Sequence, residues 1–354
     1  MNRFYRIDLL RIIAFILVVF LHYWSFQGLY DIQLVGAKPF VHLLFRNFAM
    51  ICVPIFIVIT GYLNCHKTPG KNYLFGLKKV VFVYLLCSVV ISFATLIYHK
   101  GKVSLVSEFL KILRFDGSGY AWYVEMYIGL YMIIPLLNIC WQKVDHKYIL
   151  FVISCLTIIP DSINWYDFSQ GHVLLSTSYN KICPEWWDGC YPLFYYFIGC
   201  YLREHGWILK KSVSALIILI SDILMTVTCF IASNKGLFVW GKWQDYSSIF
   251  VVAMVVCFFG LLCPPSNRSN YAMNDQLHKM LINISEATYG AYLLSYLFDN
   301  TIYTIGNRIF CLSPTNAWLC FLYVPIICVC SIGMSHVLLR FYRKVFIRAR
   351  GTIA

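Results

Sequence analysis

The chain has 354 residues, of which 60% are apolar and only 13% charged, with a mean hydropathy of +0.68. This composition excludes a soluble globular domain and indicates a polytopic membrane protein. The formal net charge of +13 is read as basic loop residues that orient helices and meet anionic lipid, not as a nucleic-acid surface.

Ten apolar stretches are long enough to span a bilayer, at residues 7–25, 43–65, 80–99, 120–141, 148–166, 187–203, 212–233, 246–263, 281–304 and 317–340. The sixth is the shortest. The predicted fold class is therefore an all-α polytopic membrane protein, with about ten transmembrane helices in one bundle. If the spans alternate from a cytoplasmic N-terminus, most of the 29 Lys and Arg fall inside. The even number of spans then puts both termini in the cytoplasm. No linker, low-complexity tract or hydrophilic run is long enough to form a separate domain, so residues 1–354 are expected to be one integral unit in the cell membrane. No repeat relates the two halves.

The first span, IDLLRIIAFILVVFLHYWSF, carries two ionisable residues, Arg11 and His22. Ionisable groups at membrane depth are costly and tend to mark function. Eleven residues of α-helix make about three full turns, so both side chains share a face and stand about 16 Å apart along the axis. Asp8, three residues before Arg11, is placed to pair with it. The competing reading of Arg11 is a snorkelling anchor, and that of His22 a packed interfacial imidazole. The functional reading of His22 is a base or nucleophile near neutral pH. The bulky HYWSFQGLYD after this segment offers no small-residue cleavage site, so the segment is expected to remain as a helix.

Before the third span, KNYLFGLKKVVFVYLL brings Lys71, Lys78 and Lys79 to the inner side. They serve either to grip a phosphorylated cosubstrate or simply to set topology. The segment KVSLVSEFLKILRF, with Lys102, Glu108, Lys111 and Arg114 interleaved at helical spacing, predicts an interfacial helix. In the fourth span Glu125 enters from outside to a depth close to that of His22. It would orient the His22 ring if the helices touch, or else pair with another polar group. The connection at 160–190 collects Trp165, Tyr166, Tyr179, Trp186 and Trp187 with Asp161, Asp167, Glu185 and Asp188, which suits a sugar acceptor or an aromatic belt. Asp222 is a further buried acid in the seventh span, with no role assigned. The 15 Cys include no C-x-x-C pair, and no metal site is indicated; Cys183 and Cys190 are either an external disulfide or two free thiols.

The chain resembles the acyltransferase 3 family of integral membrane enzymes, which includes O-acetyltransferases of surface polysaccharides. The resemblance rests first on a basic residue, ten positions and a histidine in the first helix, matched by Arg11 and His22. VPIFIVITGYL looks like the family's second-helix ending, and WYVEMYIGLYMIIPLL, PLFYYFIGCYL and ISEATYGAYLL echo its fourth, sixth and ninth helices in order. The resemblance implies acyl transfer from cytoplasmic acyl-CoA, usually acetyl-CoA, to a glycan hydroxyl. It makes His22 catalytic and has Arg11 position it or bind the donor, with Lys78 and Lys79 as further donor contacts.

The pattern departs from the family at two places. Ser295 stands where many members end the ninth-helix motif with histidine, and Gly76 and Lys79 stand where members often carry two arginines three apart. The main rival from another class is a transporter or flippase for a lipid-linked glycan, since buried charges also suit transport. A third reading is a structural or sensory membrane component.

Overall fold

The computed structural model describes residues 5–98, 104–164, 166–167, 174–175, 183–262, 275–310 and 317–351. Its α-helices are α1 (Tyr5–Phe26), α2 (Ala37–Ala49), α3 (Cys52–Asn64), α4 (Lys71–Tyr98), α5 (Leu105–Leu113), α6 (Trp122–Lys143), α7 (His146–Ile163), α8 (Tyr191–His205), α9 (Lys211–Ser233), α10 (Ile249–Leu262), α11 (Asp275–Phe310) and α12 (Cys320–Gly351). One antiparallel pair of two-residue strands, β1 (Tyr166–Asp167) and β2 (Leu174–Leu175), interrupts the helical pattern.

Among the described residues eight stretches are long and apolar enough to cross a membrane, and they coincide with eight of the expected spans. The other two expected spans are also helical. α8 has 15 residues, about 22 Å of helix and less than a typical hydrocarbon core, whereas α11 has 36. The second span is built from α2 and α3, which break at Met50 and Ile51. Pro54 favours a break there: it has no N–H to bond Met50, and its ring sits well in the first turn of α3. Asp145 caps α7 by accepting from the Tyr148 backbone N–H at 2.9 Å. Gly206, at φ +71°, ends α8.

The helices fall into two compact units. The first contains α1 to α3, α7 to α10 and the part of α6 from Leu137 onward; the second contains α4, α5, α6 up to Leu136, α11 and α12. In the first unit the most intimate contact is between α3 and α8, where glycines meet. A Cβ on Gly61 would strike the Tyr196 carbonyl oxygen and come within 3.1 Å of Gly199 Cα. A Cβ on Gly199 would strike the Val58 carbonyl oxygen. Small residues let membrane helices approach to backbone contact. The second and sixth helix motifs noted in the sequence therefore pack against each other.

In the second unit α11 packs along α12, and α4 touches both. α11 and α12 run antiparallel: Arg343 pairs with Glu286 at one end, and the Tyr303 and Tyr323 rings lie 5.7 Å apart at the other. Tyr289 donates to the Val80 carbonyl at 3.1 Å, and the Phe82 and Tyr342 rings lie 5.1 Å apart. α5 is the amphipathic helix expected between the third and fourth spans. Its Glu108 is buried and accepts from Lys111 at 2.7 Å, a bond that raises the lysine pKa.

Candidate active site

α1 forms because ten unbroken apolar residues, Ile12–Leu21, lie between Arg11 and His22 with no Gly or Pro in the helix, and Asp8 in its first turn complements the helix dipole. Asp8 is buried, and its Oδ1 lies 3.8 Å from Arg11 Nη1. The expected pairing therefore exists, and it fixes the guanidinium on the face shared with His22. Arg11 and His22 are half-buried, and His22 Nδ1 is buried. The exposed residues of α1 are Ile16 and Ser25, and Ser25 lies about one turn beyond His22. Ile16, 40% exposed, lies about a third of a turn round from both.

The C-terminal part of α1 meets α2 through rings. Trp24 packs on His42 at 5.2 Å and on Phe20 at 5.7 Å, and Phe20 on Phe45 at 6.3 Å. One turn beyond His42, Arg46 is 1% exposed. Its Nε donates to the Tyr30 hydroxyl at 3.2 Å, and its Nη1 donates to Asn47 Oδ1 and Gln244 Oε1 at 3.0 Å each. The guanidinium sits 5.7, 5.3 and 5.1 Å from the ring centroids of Tyr30, Phe238 and Trp240. These are cation–π distances. Arg46 thus ties the turn after α1 to α2 and to the 234–244 connection.

The acids of the 160–190 connection that the structure describes are gathered rather than displayed. Lys242 Nζ lies 3.1 Å from Asp161 Oδ1, 3.0 Å from Glu185 Oε2 and 2.8 Å from Asp188 Oδ2. Asn164 joins them, donating to Glu185 Oε2 at 3.1 Å and to the Cys183 carbonyl at 3.0 Å. Trp186 and Trp187 remain exposed at 88% and 54%. Trp165 and Tyr179 lie outside the described residues, as do the side chains of Tyr166 and Asp167. Cys183 and Cys190 are free thiols, so the disulfide alternative is not realised.

The remaining expected residues are spread over both units. Asp222, on α9 in the first unit, is 8% exposed, and its Oδ1 has no hydrogen-bond partner. Glu125 stands exposed in the first turn of α6 in the second unit, where a carboxylate also suits the helix dipole. Ser295 is fully buried on α11 and donates to the Tyr292 carbonyl at 2.8 Å, so its hydroxyl is spent locally. Lys78 and Lys79 are exposed on α4, with Lys78 Nζ 4.3 Å from the Phe75 ring centre. The side chain of Lys71 is outside the described residues. Gly76 has a physical reason to replace arginine, because a Cβ there would strike the Tyr131 hydroxyl. That ring is stacked on Tyr73 at 4.4 Å, and each hydroxyl donates to the other residue's carbonyl.

At the same end of the second unit, a cavity of about 390 Å³ is lined by Glu286, His336, Arg340 and Arg343. Glu286 accepts from Arg343 at 2.6 Å. Tyr342, the residue before Arg343, packs on Phe82, which lies about one turn after Lys78 and Lys79 on α4. Sequence reasoning passed over Arg46, Arg340 and Arg343, and also Asp299, which is buried on α11 and accepts from the Tyr120 hydroxyl at 2.6 Å. For Arg46 and Asp299 the signal was available, since a charge inside an apolar span is the same cue that singled out His22.

These features define a multi-pass helical membrane protein whose first helix carries Asp8, Arg11 and His22 on one face. The family model for the acyltransferase domain of the acyltransferase 3 type matches residues 4–336, nearly the whole chain, and the chain belongs to that family of membrane acyltransferases. No curated protein and no solved structure matches it.

Proposed function

We propose that this protein moves an acyl group, acetyl in the first instance, from cytoplasmic acyl-CoA to a hydroxyl of a surface polysaccharide or lipid-linked glycan. The observation that supports this most directly is the set of ionisable residues on α1. His22 and the Asp8–Arg11 pair occupy one face away from exposed Ile16, in a chain matched to acyltransferases over residues 4–336.

In this reading His22 takes the proton of the acceptor hydroxyl as that oxygen attacks the thioester carbonyl. The carbon–sulfur bond breaks, CoA leaves as a thiolate, and the imidazolium returns the proton to sulfur. The net reaction converts acyl-CoA and alcohol into ester and CoA. A covalent acyl-imidazole route gives the same balance. Arg11, steadied by Asp8, stabilises negative charge on the donor. In the second unit, Lys78 and Lys79 hold donor phosphates, and Arg340 and Arg343 at the neighbouring cavity extend that cationic surface. Replacing both arginines by glutamine is expected to raise the KM for acyl-CoA by about tenfold with little change in kcat, since binding lost equally in ground and transition states appears in KM alone.

The reading as a whole is tested by NMR and compositional analysis of surface glycan from cells with and without the gene. Loss of an ester-linked acetyl signal on deletion is expected. An identical acyl pattern in both strains contradicts the assignment.

A further inference from the structure

Where α7 begins and α8 ends, three side chains with metal-ligand chemistry converge. His146 is the first residue of α7, and Glu204 and His205 are the last two of α8. One ligand atom from each lies within 4.8 Å of the other two. His146 Nδ1 is 3.1 Å from His205 Nε2 and 3.6 Å from Glu204 Oε2. Ligands about 2.0–2.1 Å from a tetrahedral zinc stand about 3.3 Å from one another, and these two separations bracket that value.

The groups that would orient these ligands are in place as well. His146 Nε2 lies 3.1 Å from the Trp141 carbonyl. A carbonyl only accepts, so this contact puts the proton on Nε2 and leaves the Nδ1 lone pair facing the cluster. The His146 ring is stacked on the Trp141 indole, 3.9 Å between centres and 5° from parallel. Trp141 is 1% exposed, and its Nε1 donates to Glu204 Oε2 at 3.1 Å. His205 is steadied against the Tyr201 ring at 4.4 Å. One buried tryptophan therefore orients two of the three ligands before any ion arrives.

We propose that His146, Glu204 and His205 form a binding site for a divalent transition-metal ion of the zinc class, clamping α7 to α8 at their shared end. Two imidazoles and a carboxylate suit zinc, nickel, cobalt or copper rather than magnesium or calcium, and they leave a fourth position open to water. In the metal-free protein the His146 Nδ1 lone pair accepts from His205 Nε2–H. Metal binding moves that His205 proton to Nδ1, so that both facing nitrogens donate lone pairs to the ion. The ligands come from helices 58 and 59 positions apart in the chain, which is why short-spacing motifs gave no metal site.

The test uses the full-length chain in detergent, with affinity tag removed, stripped with chelator and titrated with zinc by calorimetry. One equivalent per chain is expected. His146→Gln and His205→Gln should each abolish it, and Trp141→Phe should weaken it by tenfold or more with the protein still monodisperse. Absence of binding to the wild-type chain, or unchanged stoichiometry and affinity in a monodisperse double histidine variant, overturns the proposal.

Discussion

His22→Ala is expected to lower glycan acylation by about 10²- to 10⁴-fold, the range contributed by a positioned general base, while expression and membrane insertion stay at wild-type levels. The direction follows from the chemistry. An alcohol attacks a thioester slowly while it keeps its proton, and alanine cannot remove it. The structural cost is small, because His22 is only half-buried on a helix whose packing is carried by apolar residues such as Leu10, Phe15 and Val19. Ile16→Ala, at an exposed position of the same helix, is the control and should leave acylation within twofold of wild type. Ester content of surface glycan, normalised to protein in the membrane, is the readout. Wild-type acylation by His22→Ala would remove the catalytic assignment.

The second large effect is on folding. Gly61→Leu is expected to abolish monodisperse protein in fluorescence-detected size exclusion. Gly61→Ala should lower the thermal midpoint by an amount equivalent to about 1–3 kcal/mol, the usual cost of overpacking. At Gly61 the opposing atoms are backbone, the Tyr196 carbonyl and Gly199 Cα. Backbone cannot rotate aside as a side chain can, so α3 and α8 must separate. Separation also strains the hydrogen bond from Cys200 Sγ to the Gly61 carbonyl at 3.7 Å. Gly129, which has open space where a Cβ would stand, should accept alanine without loss. Equal tolerance at Gly61 and Gly129 would show that the α3–α8 crossing does not depend on backbone contact.

Much of the helical frame was legible because apolar runs near bilayer length leave few alternatives. The run from residue 43 to 65 predicted one span, and the chain supplies α2 and α3 broken just before Pro54. Residues 187 to 203 predicted a short span, and α8 is short. The Asp8–Arg11 contact was readable because it is local and obeys helical spacing. Long-range pairing was not readable. Periodicity does not reveal that Lys242 gathers Asp161, Glu185 and Asp188, nor that Gly61 and Gly199 are neighbours. The acids between residues 160 and 190 looked available to a sugar because their common cation lies more than 50 residues further on. Gly76 looked like a plain departure from an arginine pattern until the Tyr131 hydroxyl was found in the space an arginine would need.

The central claim is that acyl transfer depends on the imidazole of the first helix. Its most direct measurement is the release of free CoA from acetyl-CoA by the purified protein in lipid nanodiscs, with glycan acceptor, for the wild-type chain and for His22→Ala. Acceptor-stimulated CoA release by wild type and a loss of at least a hundredfold in the variant are expected. Equal release by both, or none from a wild-type preparation that is folded and supplied with acceptor, contradicts the central claim.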